Sequence, residues 1–170
     1  MALRLLTPRL ELRPLPAAVA VAVLEHRDIA ERLLGVTLPP AWPLPDLLDV
    51  LPLQAASNGD MERYGVWVMI ERATNGVVGD IGFMGPPNAD GSLELGYSVI
   101  PDRRRRGYAT EAARALAGWG VDQPGVTGIV AECDPDNTPS VLTLERSGFE
   151  RVGQDGHRIR WAYGLAQARS

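Results

Sequence analysis

The sequence predicts a single α/β (α+β) domain built around a mixed sheet, and three observations lead to that fold class. Residues 17–57 are rich in apolar, helix-compatible segments. Residues 64–100 carry three strand patterns separated by turn signals. Over residues 92–133 the hydrophobic pattern changes from strand to helix and back to strand. This alternation is typical of a β-helix-β unit at the centre of a mixed sheet.

Length and composition indicate one globular domain over residues 1–170. The chain has 170 residues, 45% of them hydrophobic, which is enough to bury a substantial core. Its formal net charge of −4 disfavours a general nucleic-acid or anionic-membrane binder. All 17 basic residues are arginine, so covalent lysine chemistry is excluded.

Cys133 is the only cysteine of the sequence, which excludes an internal disulfide and a Cys-rich metal site. The apolar run at 17–23 is too short to span a bilayer. It also lacks the charged region and cleavage site of a signal peptide. We therefore expect a cytoplasmic protein without a targeting segment.

The N-terminal third combines one strand with helices. "LELRPL" (10–15) alternates apolar and polar residues and predicts an edge strand that ends at its prolines. Residues 17–34 are expected to be helical in one or two pieces. The proline-rich segment 38–45 predicts a loop, and 45–57 predicts a helix broken near Pro52.

The central segment predicts three antiparallel strands. "YGVWVMIER" (64–72) and "GVVGDIGFM" (76–84) are apolar, and the Asn75-Gly76 pair between them is a strong hairpin signal. "SLELGYSVI" (92–100) follows Asp90-Gly91 as the third strand.

Helical periodicity begins at Gly107. Three alanines and Leu116 share one face of the predicted helix, and Gly118 and Gly120 are expected to end it. "VTGIVAEC" (126–133) then predicts a strand.

The C-terminal part predicts one more helix and a hairpin. Thr138 is placed to cap the helix, with Pro139 at its first position. Gly148 fits the left-handed position after the helix. Residues 149–164 are expected to form the closing strand pair.

"PDRRRRGYAT" (101–110) places four arginines before a helix start, where the helix dipole disfavours cations. A strand, an arginine-rich loop, a glycine and a helix N-terminus together favour a phosphate-binding site. The alternative is an ordinary solvated basic helix start. The sequence contains neither a P-loop nor a Gly-x-Gly-x-x-Gly motif, which disfavours ATP held by a P-loop and a dinucleotide.

"LELGYSVIPDRRRRGYATEA" resembles the acetyl-CoA-binding motif of the GNAT N-acetyltransferase family, with Arg104, Gly107 and Ala109 at its defining positions. "TPRLELRPL" and "NTPSVLTLERSGF" resemble the RimJ/RimL-like branch of that family. The similar segments lie, in the family's order, at 7–13, 79–85, 94–116 and 137–149.

The resemblance implies the GNAT fold, a mixed, mostly antiparallel twisted sheet flanked by helices. It implies that the sheet is splayed between strands 92–100 and 126–133 and holds acetyl-CoA there. The backbone of Val99 and Ile100 would pair with the pantetheine arm, and the amides of 105–110 would hold the pyrophosphate. The implied cofactor-binding residues are Val99, Ile100, Arg104, Arg105, Arg106, Gly107, Tyr108, Ala109, Thr110 and Asn137.

The implied activity is direct transfer of the acetyl group to a primary amine, either a protein N-terminal α-amine or a small amine. No metal is needed for this reaction. The alternative is a non-catalytic acyl-CoA-binding sensor or scaffold of the same fold. An amine acceptor is the expected partner, with neither nucleic acid nor membrane, and both a monomer and a homodimer remain open.

The reaction needs a base for the amine and stabilisation of the departing thiolate. Glu94 is the first candidate for the base, because several family members carry a catalytic glutamate there, and Asp80 is its rival. Many family members carry a tyrosine acid where this chain has Leu144, so Ser140 becomes the candidate that stabilises the thiolate. Tyr97, like Tyr108, is expected to pack rather than to catalyse, and Trp42 to line the acceptor pocket.

Overall fold

The computed structural model describes residues 2–164 and contains one eight-stranded sheet with helices on both faces. The strands are β1 (Leu5–Leu6), β2 (Leu10–Pro14), β3 (Val66–Glu71), β4 (Gly76–Phe83), β5 (Ser92–Val99), β6 (Gly128–Cys133), β7 (Glu150–Asp155) and β8 (Arg158–Tyr163). The helices are α1 (Ala17–Glu25), α2 (Arg27–Leu34), α3 (Pro45–Ala55), α4 (Asp60–Arg63), α5 (Tyr108–Val121) and α6 (Thr138–Arg146), with a 3₁₀ turn at Pro101–Arg103. Residues 1 and 165–170 of the predicted domain lie outside the described residues.

The strand order is β1-β2-β3-β4-β5-β6-β8-β7. Every neighbouring pair is antiparallel except β5 and β6, which flank α5 and are parallel. The predicted mixed sheet, its central hairpin and its β-helix-β unit are confirmed. None of the helices within residues 2–164 combines the length and apolarity needed to cross a membrane.

The sheet separates two hydrophobic cores. Trp67 and Met69 of β3 pack with α5 and α6, on what we call the α5–α6 face. Val66, Val68 and Ile70 pack with α1, α2 and α3, on the α1–α3 face. Because successive strand side chains point to opposite faces, a strand buried on both sides supplies both cores. The same alternation assigns each side chain of β5 to one face, and Asp80 of β4 shares the face of Ser98, its partner across the strands.

The sheet opens between its two parallel strands. β5 and β6 pair only from Ser92 with Gly128 to Glu94 with Val130. Beyond that point β5 stays paired with β4, and β6 stays paired with β8. The predicted splay between these strands is therefore present.

Two N-terminal predictions are wrong. The strand at 10–15 is observed as β2, but it is not an edge strand, because β1 pairs with its outer side. The helix over 45–57 does not break near Pro52, and α3 continues to Ala55. Pro52 removes one backbone donor in the last turn. The buried side chains of Leu47 and Leu51 still hold the helix against the α1–α3 core.

The predicted end of α5 is also wrong. The helix passes through Gly118 and Gly120 and ends at Val121. Gly120 is buried, and a Cβ there would lie 3.0 Å from side-chain carbons of Ile129 and Phe83. Gly120 therefore allows close packing of α5 on the sheet rather than ending the helix.

The cap of α6 lies one residue before the predicted one. Asn137, not Thr138, is the N-cap, and its Oδ1 accepts a backbone N–H of the first turn at 3.2 Å. At the other end Gly148 has the predicted left-handed backbone, with a φ of 99°. The Phe149 N–H donates to the Leu144 carbonyl at 3.0 Å, which completes the expected C-terminal motif.

Candidate active site

An open cleft lies where β5 and β6 separate. Its volume is about 410 Å³, and it is lined by α3, strands β3 to β6 and the start of α6. Both faces of β5 contribute, Ser98 on the α1–α3 face and Tyr97 on the α5–α6 face. The two predicted catalytic residues, Glu94 and Ser140, line this same cleft.

Residues 104–110, which we call the phosphate loop, run from the end of the 3₁₀ turn into the first turn of α5. Arg105 and Gly107 have left-handed backbones, with φ of 64° and 82°. This conformation suits glycine, but it is unusual for an arginine. Arg105, Arg106 and Gly107 are exposed, and the free N–H groups of α5 begin directly after them. The loop therefore has the geometry expected of an anion site.

Two carboxylates lie at this helix start, and each pairs with an arginine. Glu71 is buried, accepts a short hydrogen bond from the Tyr108 hydroxyl and forms a 3.6 Å ion pair with Arg103. The hydrogen bond from Tyr108 is the largest effect on the pKa of Glu71 and lowers it. In the first turn of α5, Glu111 pairs with Arg9 at 2.9 Å. The side chain of Tyr108 thus supports the loop from the core, which leaves its backbone to face a ligand.

The end of β5 presents backbone groups toward the splay. Ile100 donates its N–H to Val78 on β4 at 2.9 Å, and its carbonyl accepts the Arg103 N–H at 3.0 Å. In this antiparallel register the N–H and carbonyl of Val99 point away from β4. The Arg104 Nε donates to that carbonyl at 2.8 Å. Val99 is therefore better placed than Ile100 to pair with an extended ligand.

Asp80 lines the cleft on the α1–α3 face and is 7% exposed. The Trp42 Nε1 and the Ser98 Oγ both donate to its Oδ2, at 3.0 and 3.3 Å. Its Oδ1 accepts no hydrogen bond from the described residues. Burial raises the pKa of Asp80 to about 6, and the two hydrogen bonds reverse only part of that rise. A carboxylate of this pKa can exchange a proton near neutral pH.

Glu94 lies on the same face as Asp80, as the strand alternation predicts, but its side chain is exposed. Gly82 and Gly96 face each other between the two carboxylates, so the floor between them is backbone. The Met84 side chain passes over Gly96. Asp80 and Glu94 are thus the inner and outer carboxylates of one cleft.

Ser140 and Asn137 border the cleft from the start of α6. Ser140 is half-buried, and its backbone N–H is the one that Asn137 caps. Leu144 is 1% exposed and packs in the α5–α6 core. That position of α6 therefore supplies no proton donor.

Tyr97 is the candidate that sequence reasoning missed. It packs against the α5–α6 core as expected, yet its hydroxyl is buried and makes no hydrogen bond of regular geometry within residues 2–164. Burial raises the pKa of Tyr97, while the nearby Ser140 and Thr143 hydroxyls lower it. Buried polar atoms without partners are rare and call for an explanation. The available signal in the sequence was strand alternation, which points the side chains of Tyr97 and Ser98 to opposite faces of β5.

The cleft, the end of β5 and the phosphate loop together fit acetyl-CoA. The phosphate loop offers free backbone N–H groups and arginines, Val99 offers outward backbone groups, and Tyr97 offers a buried hydroxyl without a partner. In the described part of the chain, no group of three or more His, Cys, Asp or Glu side chains is placed to hold a metal ion.

Comparison with known proteins gives a consistent result. A family model described as an acetyltransferase (GNAT) domain matches residues 9–150. The uncharacterised N-acetyltransferase YjdG of Bacillus subtilis (strain 168) is 30% identical over 158 residues, which cover 91% of this chain and 93% of that protein.

Two solved structures share the fold. An acetyltransferase (GNAT family) from Bacillus anthracis has a TM-score of 0.63 at 22% identity, covering 95% of this chain and 96% of that one. The microcin C7 self-immunity acetyltransferase MccE, solved with acetyl-CoA and AMP, has a TM-score of 0.63 at 17% identity, covering 92% of each chain.

Proposed function

The chain belongs to the acetyltransferase (GNAT) family, and from that premise we propose that it acetylates a primary amine that carries additional positive charge. As a member of this family it is an acyltransferase that uses acetyl-CoA as co-substrate. Membership favours the enzyme over the non-catalytic sensor that the sequence left open. The motif "TPRLELRPL" supports placing it in the RimJ/RimL-like branch.

The observation that carries the proposal is the charge of the cleft. Five carboxylates and one arginine line it: Asp46, Asp80, Glu94, Glu132, Asp134 and Arg158. Arg158 is itself engaged by two of them, Glu132 at 3.7 Å and Asp134 at 3.2 Å. A concave site lined by one sign of charge concentrates ligands of the opposite sign. Both acceptor classes, a basic peptide N-terminus and a small polyamine, meet that requirement.

We assign the role of base to Asp80. Its unbonded Oδ1 can accept a proton, and the donors Trp42 and Ser98 hold the carboxyl group in place. Because the pKa of Asp80 is raised to about 6, its carboxylate is ionised at pH 7 but still basic enough to take a proton. Glu94, further out on the same face, then attracts and orients the ammonium group.

Tyr97, assisted by Ser140, is our candidate for the group that donates a hydrogen bond or a proton to the departing thiolate. Asp80 and Tyr97 lie on opposite faces of the sheet at the splay. The amine would enter on the α1–α3 face, and the thiol would leave on the α5–α6 face. The new N–C bond replaces the C–S bond of the thioester. Of the two protons that an ammonium loses, Asp80 takes one to solvent, and one proton ends on the departing sulfur.

Acetyl-CoA supplies the acetyl group, and this chain's residues bind and orient it. The phosphate loop would hold the pyrophosphate through its backbone N–H groups and through Arg104, Arg105 and Arg106. Val99 would pair with the pantetheine arm. Asn137 would keep the start of α6 in place beside it.

The activity is tested by measuring free-thiol release from acetyl-CoA with a panel of amines. The panel contains neutral monoamines, diamines, and peptides with acidic or basic residues after a free N-terminus. We expect thiol release with dicationic small amines or basic peptides. The KM for the amine should rise with ionic strength, because salt screens the acidic cleft. Faster release with neutral amines and acidic peptides would contradict the proposal.

The variant Glu94→Gln tests whether Glu94 attracts the ammonium group of the acceptor or acts as the catalytic base. It removes one carboxylate but keeps the shape of the side chain, so we expect KM for a diamine to rise about two- to fivefold. The same variant should keep kcat within about threefold, because Asp80 remains. Glu145→Gln, an exposed carboxylate outside the cleft, is the matched control. If Glu94→Gln instead lowers kcat by more than about 10²-fold, Glu94 is the base.

A further inference from the structure

The N-terminal motif "TPRL" contacts the phosphate loop across 97 residues of sequence. Arg9 lies just before β2, and its Nε donates to the Glu111 Oε1 at 2.9 Å. Its backbone N–H donates to Glu111 Oε2 at 2.9 Å, and Thr7 makes a short hydrogen bond to the same oxygen. Glu111 is thereby held at three points.

The other end of the Arg9 guanidinium reaches the loop itself. Its Nη1 donates to the Arg106 carbonyl at 2.7 Å, and its Cζ lies 4.4 Å from the centre of the Tyr108 ring. A Cβ added to Gly107 would lie 3.2 Å from the Arg9 Nη2. One side chain thus touches three consecutive residues of the phosphate loop.

The loop needs such support, because the Arg105 backbone is left-handed. A non-glycine residue persists in that conformation only where its surroundings enforce it. The Arg106 carbonyl lies one residue after Arg105 and just before the left-handed Gly107, so the bond from Arg9 fixes the loop between these two residues. The exposed ion pair with Glu111 would add little stability by itself.

We propose that Arg9 and Glu111 are positioning residues that hold the phosphate loop in its acetyl-CoA-binding conformation. This inference rests on the proposed assignment of residues 104–110 to the pyrophosphate. A loop ordered before binding gives higher affinity, because less freedom is lost when the ligand binds. Arg9 would therefore raise the affinity for ligands that carry the diphosphate and leave the affinity for ligands without it unchanged.

The test compares Arg9→Gln with Arg4→Gln. Arg4 also forms an ion pair near the N-terminus, with Glu11 at 3.0 Å, but away from the loop. Calorimetric titration with CoA should give a Kd about tenfold higher for Arg9→Gln and unchanged for Arg4→Gln. With acetyl-pantetheine, which lacks the phosphates, as acyl donor, kcat/KM should be the same for both variants and wild type.

Two further variants separate positioning from folding. Arg9→Lys keeps the charge but loses the planar guanidinium, which donates to Glu111 and to the Arg106 carbonyl at once. Its CoA affinity should therefore lie between those of Arg9→Gln and wild type. Glu111→Gln keeps one acceptor oxygen, which can serve the Arg9 backbone N–H and Thr7, but its NH2 group cannot accept from the Arg9 Nε. Because Arg9 can still donate to the Arg106 carbonyl, the loss of CoA affinity should be smaller than that of Arg9→Gln.

Unchanged CoA binding in Arg9→Gln would overturn the inference. Equal losses with CoA and acetyl-pantetheine would overturn it too, and would show general damage instead. If none of the proteins, wild type included, binds CoA, the loop assignment itself is wrong.

Discussion

Replacing Asp80 with asparagine is expected to lower kcat by about 10²- to 10⁴-fold, the usual contribution of a positioned acid–base group. Asparagine keeps the size of the side chain, and its amide oxygen can still accept the hydrogen bonds from Trp42 and Ser98. It cannot take a proton from the amine. Steady-state thiol release at saturating acetyl-CoA and acceptor measures the change.

The same substitution is expected to stabilise the fold near neutral pH. Burial raises the pKa of Asp80 from 3.8 to about 6, so the folded protein binds this proton more tightly than the unfolded chain does. Stability therefore falls as pH rises through the window from about 4 to 6, and the loss amounts to about 3 kcal/mol above it. Asp80→Asn lacks this titration. Part of this loss has already occurred at pH 4, so the stability of the variant relative to wild type should rise by about 2 kcal/mol between pH 4 and pH 7.

Chemical denaturation of both proteins at pH 4 and pH 7 gives this difference, with Glu94→Gln as the control. Glu94 is exposed, so its amide variant should show no comparable gain. Lower activity together with higher stability is the signature of a residue kept for function. A variant that is both less active and less stable at pH 7 would indicate that Asp80 is structural.

Replacing Tyr97 with phenylalanine is expected to lower kcat by about 10²-fold, while KM for acetyl-CoA changes little. The lost group is the buried hydroxyl, which makes no hydrogen bond of regular geometry within the described residues. Removing an unsatisfied buried hydroxyl does not destabilise a protein and can stabilise it. The melting temperature of the variant should therefore equal or exceed that of wild type.

Tyr163→Phe is the matched control, because the Tyr163 ring packs at a tilt against Phe149 and does not line the cleft. Its kcat should stay at the wild-type value. Ser140→Ala reports the contribution of the neighbouring hydroxyl and should have a smaller effect than Tyr97→Phe. If Tyr97→Phe retains full turnover and Ser140→Ala does not, Ser140 alone serves the thiolate. A lower melting temperature with higher KM for both substrates would make Tyr97 a packing residue.

The parts of the fold that depend on local signals could be predicted from the sequence. Asn75-Gly76 turns the central hairpin, and Gly148 closes α6 in the left-handed conformation, because each position needs a backbone that few residues adopt. Gly120 could not be interpreted in this way. Its contacts, Ile129 and Phe83, lie on two different strands and are brought to it by the tertiary fold, so its role in packing looked like a helix end.

The sequence predicted which residues lie in the site better than it predicted what each of them does. Glu94 and Asp80 were both candidates, but the burial of Asp80 depends on Trp42, which is 38 residues away in the chain. The ion pair between Arg9 and Glu111 joins residues 102 positions apart, so no local sequence pattern indicates it. Tyr97 packs in the core as expected, and only the absence of a partner for its hydroxyl among the described residues suggests more.

The most direct test of Asp80 as the base is the pH dependence of kcat/KM for the amine in wild type and Asp80→Asn, because kcat/KM reports the pKa of the enzyme before the amine binds. Wild type should lose activity as pH falls, with an apparent pKa near 6, because protonated Asp80 cannot accept the proton of the amine. The residual activity of Asp80→Asn should lack this titration. The same acid limb in both proteins, or its disappearance in Glu94→Gln instead, would contradict the assignment of Asp80 as the base.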